Sequence, residues 1–151
     1  MDNKKQIDVG VKYFIPVTAG IETNILETYS ILANKGWDVT IHTSKDTYLK
    51  KNILADEETI RDLKIKRYPF GSFGFWPKID WRNTDAVCLH NFDIFPHFQI
   101  MLYAFWLKLR GKKKFGLFIT PHGGFNPEWS IFPIVKRVIK FVYHYSLGVL
   151  L

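Results

Sequence analysis

Histidine is the side chain best suited to holding or moving a proton near neutral pH, and this chain has five. Two of them stand just past apolar, strand-like runs. His90 closes the run DAVCLHN, and His122 follows FGLFIT within FGLFITPHGGF. Gly123 and Gly124 come directly after His122, and paired glycines let a backbone turn sharply or a ligand come close. Two readings are open: a tight turn that happens to carry a histidine, or a binding cleft that His122 lines, with Gly123, Gly124 and His90 beside it. His90 is the weaker candidate, because a histidine at a strand end also caps loops. A second place with chemical potential is VTAGIETN, where Gly20 stands between a strand and a helix whose early residue is Glu22. The free N–H groups of a helix start can meet an anion, helped by the helix dipole. Glu22 can equally serve as half of a capping box. There is no GxGxxG, so the dinucleotide fingerprint is missing and no cofactor is expected. His42, His97 and His144 have no spacing that would converge on a metal, and zinc needs three or four ligands. No metal site is expected.

The elements that must position these residues alternate. Residues 9–15 form a β-rich run that Pro16 ends. Ile21, Ile25, Tyr29 and Leu32 then recur at helical spacing up to Gly36, a C-terminal stop. DVTIHTS is a second strand, LADEETIRDL a helix, and KIKRYPF a third strand ending at Pro69. GSFGFWPKIDWRN is an aromatic-rich loop, DAVCLHN a fourth strand, and residues 94–110 a helix apolar on nearly every side. KFGLFITP is a fifth strand, and PIVKRVIKFVYHYS a last helix with Pro133 in its first turn. Strand–helix alternation at this spacing predicts an α/β fold, a Rossmann-like parallel sheet with helices on both faces. In such sheets ligands bind beyond the carboxyl ends of the strands, near the switch in strand order. The loops 16–20 and 121–125 both fall at that edge.

Composition limits the partners. A chain of 151 residues with 47% hydrophobic and 17% aromatic content can build one folded domain. A formal charge of +7 favours anionic partners. Cys88 is the sole cysteine, so no intramolecular disulfide or thiolate cluster forms, which fits a reducing, cytoplasmic setting. The N-terminus lacks the apolar core of a signal peptide, and FQIMLYAFWLKL falls short of the roughly 20 residues needed to span a bilayer. Lys108, Arg110 and Lys112 to Lys114 follow an aromatic helix. Lys136, Arg137, Lys140 and His144 share one face of the last. Together with Phe73, Phe75, Trp76 and Trp81 in one loop, they suggest a patch for an anionic membrane surface. Single-stranded nucleic acid is the rival, but no recognition motif of that class occurs, and none is expected as a partner. The apolar ending YHYSLGVLL suggests the first part of a longer chain.

AGIETNILETYSILANKGWDVTIHTS resembles the first strand–helix–strand unit of the retaining GT-B glycosyltransferases of family four. DAVCLHN is similar to their fourth strand and ITPHGGF to their fifth, and the likeness runs through the chain in order. The first glycine of the family's Gly-Gly pair is Ala19 here. The resemblance implies that residues 1–151 are the N-terminal, acceptor-side half of a GT-B fold. The donor-binding domain, with its two spaced glutamates, has no counterpart in this chain. The implied chemistry is transfer of a sugar from a nucleoside-diphosphate sugar to a lipid-linked or glycan acceptor. His122 would approach the transferred sugar, and Gly20 and Glu22 would lie at the cleft wall. These residues alone are expected to show negligible turnover. The alternative is a non-catalytic Rossmann-like module that docks on an anionic membrane or a partner protein.

Overall fold

A computed structural model of the chain describes residues 4–72, 74–91, 97–120 and 122. In chain order the elements are β1 (Gln6–Gly10), α1 (Gly20–Asn34), β2 (Asp38–Ser44), β3 (Glu57–Ile60), β4 (Leu63–Tyr68), β5 (Ala86–His90), α2 (His97–Leu109) and β6 (Gly116–Thr120). They build one six-stranded sheet in the order β3-β4-β2-β1-β5-β6. Every pairing is parallel except β3 with β4. This is the Rossmann-like α/β architecture that the alternation predicts. β1 lies centrally, and the chain moves outward from it in both directions, so the order switches between β1 and β5.

The register shows why helices cover both faces. Ile7 pairs with Val39 and Ala86, and Val9 with Ile41 and Cys88. Residues paired this way share a face. Together with Leu63 and Ile65 they pack against Ile25, Leu26 and Tyr29 of α1. Val87 and Leu89 point the other way and pack with Ile100, Met101, Ala104 and Leu107 of α2. Each large apolar side chain buried so fully contributes about 1.5–3 kcal/mol against conformational entropy.

Three expectations change. Residues 54–63 are not a helix. Their centre is β3, an edge strand, joined to β4 by a two-residue turn at Arg61 (φ 48°) and Asp62 (φ 63°). Two positive φ values in succession are the backbone of a tight hairpin matched to strand twist. The first strand also starts and ends earlier than residues 9–15. Backbone bonds to β2 run on just past Gly10, with Val11 N–H donating to the His42 carbonyl at 3.1 Å and Ser44 N–H to the Lys12 carbonyl at 3.0 Å. The chain then turns, with Val17 N–H donating to the Phe14 carbonyl at 3.1 Å, and Phe14 and Val17 reach the core. Within the aromatic loop, Phe75 is buried and stacked on Tyr68, and Trp81 leans on Phe115 and Tyr103. Phe75 is core and Trp81 is half-buried against the core under α2, which leaves Trp76 exposed. Phe73, the start of the helix expected from residue 94, and the helix expected at residues 133–146 lie outside the described residues.

Candidate functional site

The carboxyl edge of the sheet is built from loops that buried charges hold in place. Arg67, near the end of β4, is 4% exposed and donates to the Ile15 carbonyl at 2.5 Å and to that of Ala55 at 3.4 Å. Its guanidinium also pairs with Glu58 of β3. One side chain thus ties the β1–α1 loop to the hairpin. At the end of that loop Ala19 is extended, and its N–H donates to the Glu22 carboxylate at 3.0 Å. Glu22 is 4% exposed, so the structure uses it as the capping carboxylate of α1. Gly20 opens the helix, and a Cβ built there would meet no atom within 4 Å. The space beside Gly20 is open, and packing does not force glycine at that position. Beside this helix start stands an aromatic group. Tyr13 meets Tyr48 edge-on at 4.8 Å, and the Lys12 ammonium lies 4.8 Å from the Tyr13 ring and 5.0 Å from the Phe70 ring. The Tyr48 hydroxyl is pushed up from its ordinary value by desolvation first and then by the charges of Glu22 and Tyr13.

His90 and His122 come together at the ends of adjacent strands. β5 and β6 run in register through His90 and Thr120, which brings the residue two beyond β6 against His90. The rings stack at 5.0 Å with 19° between their planes, and His90 Nδ1 lies 2.7 Å from His122 Nε2. On its other side His90 Nε2 lies 2.9 Å from the Tyr29 hydroxyl of α1. His90 is buried, whereas His122 is half-buried. The Asn91 carbonyl that follows accepts a hydrogen bond from His97 Nδ1, at the first residue of α2. Gly10 makes that approach feasible, since a Cβ there would lie 3.0 Å from Leu89 and 3.1 Å from the His97 ring. The hydrogen bonds of Glu22 lead to Ala19 rather than to the histidine pair. Gly123 and Gly124 lie outside the described residues.

Burial pulls the pKa of His90 from 6.5 down to about 4, with further contributions from His122 and His97. The folded protein therefore takes up this proton less readily than the unfolded chain. The stability this group contributes is complete above about pH 6.5 and is lost as the pH falls toward 4, where the native ring also charges. A shift of that size corresponds to about 3 kcal/mol. Urea midpoints between pH 7 and pH 4 should therefore fall more steeply in the wild type than in His90→Gln. Equal slopes would contradict the assignment. Cys88 is raised by the same burial and is a poor thiolate at neutral pH, which leaves no case for it as a nucleophile.

Reasoning from sequence missed Tyr29, which the helical spacing assigns to an apolar face. It also gave no role to His42, which forms a second buried chain on the α2 side of the sheet. There His42 Nε2 lies 2.8 Å from Asp8, and Nδ1 lies 2.9 Å from the Tyr68 hydroxyl, which accepts the Lys78 N–H at 3.1 Å. Among the described residues, no three His, Cys, Asp or Glu side chains gather as a metal site would require. No family model, no curated protein and no solved structure matches this chain.

Proposed function

We propose that this domain is the acceptor-side half of a retaining glycosyltransferase that moves a sugar from a nucleoside-diphosphate sugar to a lipid-linked or glycan acceptor. The observation that carries the reading is the His90–His122 pair at the carboxyl edge of a parallel sheet, one strand from the switch in strand order. That edge is where open α/β sheets bind ligands, and a half-buried imidazole there can donate a hydrogen bond as negative charge grows on a leaving phosphate. The motifs AGIETN and ITPHGGF support the same reading through their resemblance to family four. Gly20 and Glu22 take the cleft wall in this scheme, with Gly123 and Gly124 next to His122. Titration of the isotope-labelled chain with a panel of glycosides and nucleoside-diphosphate sugars tests it. Chemical-shift changes should gather at Gly20, Glu22, His90 and His122. A panel that moves none of them would sink the proposal.

A second reading, docking on an anionic membrane surface, is favoured by one observation on α2. Leu102, Trp106 and Leu109, spaced four and three residues apart, are 43%, 42% and 70% exposed, and that spacing places them on one outward face. Arg110 lies 4.0 Å from the Trp106 ring, and Lys112 to Lys114 follow. Among the described residues no helix is long and apolar enough to cross a membrane, so this face would lie on a bilayer rather than span it. The chain should sediment with vesicles containing phosphatidylserine and be released as salt rises. Each cation near such a surface contributes about 1 kcal/mol. Losing Lys112, Lys113 and Lys114 alone accounts for about two orders of magnitude, and changing them together to Glu should weaken binding by at least that much, since the new carboxylates also repel the surface. Equal binding to neutral vesicles would overturn the electrostatic account.

A further inference from the structure

We infer that Tyr29 is a positioning residue that, through His90, fixes where His122 carries its ring proton. Nε2 of His122 is kept as an acceptor, and Nδ1–H is left as the group that can donate to a ligand. The inference builds on the reading of His122 as a site residue.

The argument follows one proton at a time. The Tyr29 hydroxyl has a single proton and two neighbours: the Nε2 lone pair of His90 at 2.9 Å and the Cys88 thiol. A ring nitrogen is a good acceptor and sulfur a weak one, so the hydroxyl proton goes to His90. Burial pushes the Tyr29 hydroxyl well above its ordinary value, so it stays protonated and remains a donor. His90 is held neutral by the same burial, and a neutral imidazole carries one proton. With Nε2 accepting, that proton sits on Nδ1 and has His122 Nε2 in front of it at 2.7 Å. His122 Nε2 must then accept, and the proton of a neutral His122 sits on Nδ1. Which nitrogen of a histidine carries the proton is set by the bond its other nitrogen makes, and here that control passes through two residues.

The groups around His90 do not reverse this direction. Among the described residues they are Tyr29 from α1, Cys88 from its own strand, His97 from α2, and His122 beyond β6. None of these is a carboxylate. His97 already commits its Nδ1–H to the Asn91 carbonyl. Placing a proton on His122 Nε2 would require His90 to accept there, Tyr29 to accept from His90, and the tyrosine proton to fall back on sulfur. The chain Tyr29 → His90 → His122 therefore has a preferred sense, and it leaves the Nδ1–H of His122 as a donor of fixed geometry at the sheet edge.

Long-range proton–nitrogen correlations of the histidine rings, recorded at pH 7 on the labelled chain, test this directly. In the wild type both His90 and His122 should be protonated on Nδ1, with a scalar coupling between His90 Nδ1 and His122 Nε2 across the hydrogen bond. Tyr29→Phe keeps the buried ring and removes the donor. It should shift His122 from one tautomer toward an averaged pair, with its two nitrogen resonances drawing together. A purely structural Tyr29 would change the melting temperature and leave the His122 resonances where they were, which would overturn the inference. A His122 protonated on Nε2 in the wild type would overturn it as well, and that measurement decides the matter even if Tyr29→Phe does not fold. Turnover is not the readout. A chain with this tautomer but no response to any glycoside or sugar nucleotide loses the transferase reading and keeps this one.

Discussion

His42→Ala is expected to lower the folding free energy by about 3 kcal/mol or more, because it removes a buried ring and leaves the buried Asp8 carboxylate without its nearest hydrogen-bond partner. Asp8 and His42 are 2% and 1% exposed and meet at 2.8 Å. The alanine variant would leave the Asp8 carboxylate in the core with the Gln6 amide, at 3.3 Å, as its neighbour. It would also remove the ring that stacks on Tyr68, which in turn stacks on Phe75. The loss therefore has an electrostatic part and a packing part. Tyr68→Phe isolates a smaller piece: it retains the aromatic stack and strips His42 Nδ1 of its partner, at a cost of about 1–3 kcal/mol. The double variant Asp8→Val with His42→Leu should cost less than the sum of the two single changes, because it removes the unpaired charge along with the pair. Urea unfolding of these variants checks the set. A His42→Ala variant within about 1 kcal/mol of wild type would mean that Asp8 finds solvent or another partner.

The same contrast between local and distant information explains how far the sequence could be read. DVTIHTS and AVCLH announce strands because β-branched and apolar residues crowd them, and β2 and β5 fall where expected. The helix at residues 20–34 follows from the spacing of Ile21, Ile25, Tyr29 and Leu32. Residues 54–63 misled because Ala, Leu and Glu carry good helix propensity, while the decision lay in two positive φ angles and in pairing with β4, which no single window contains. The site behaves similarly. His90 and His122 were legible as strand-end residues, since sheet topology alone places them at the carboxyl edge. Their contact needs the β5–β6 register, and the Tyr29 bond needs α1 to pack across β5, so neither was visible. The hydroxyl of Tyr29 looks apolar by spacing and acts as a donor. Phe75 and Trp81 looked like surface aromatics by their loop, and tertiary packing buried one and half-buried the other.

The last expected result concerns His122, and it separates a chemical role from a structural one by comparing two magnitudes. In a protein that joins this domain to a donor-binding domain, the transferase reading predicts that His122→Ala loses about 2.7–4 kcal/mol of transition-state stabilisation. That corresponds to a fall in turnover of about a hundred- to a thousandfold. The cost in folding should be smaller. His122 is half-buried and meets His90 through its Nε2, so the variant leaves the Nδ1–H of the buried His90 without that acceptor, a cost of about 1–3 kcal/mol. Turnover per folded molecule and the melting temperature, measured on the same preparation, therefore move by different amounts if His122 touches the reacting sugar or phosphate. Tyr29→Phe should follow the same direction with a smaller fall in turnover, because it leaves the His122 ring in place and changes only where that ring holds its proton. If His122→Ala instead drops the melting temperature sharply while the folded fraction turns over at the wild-type rate, the histidine pair is a strut between β5 and β6, and the catalytic centre lies elsewhere.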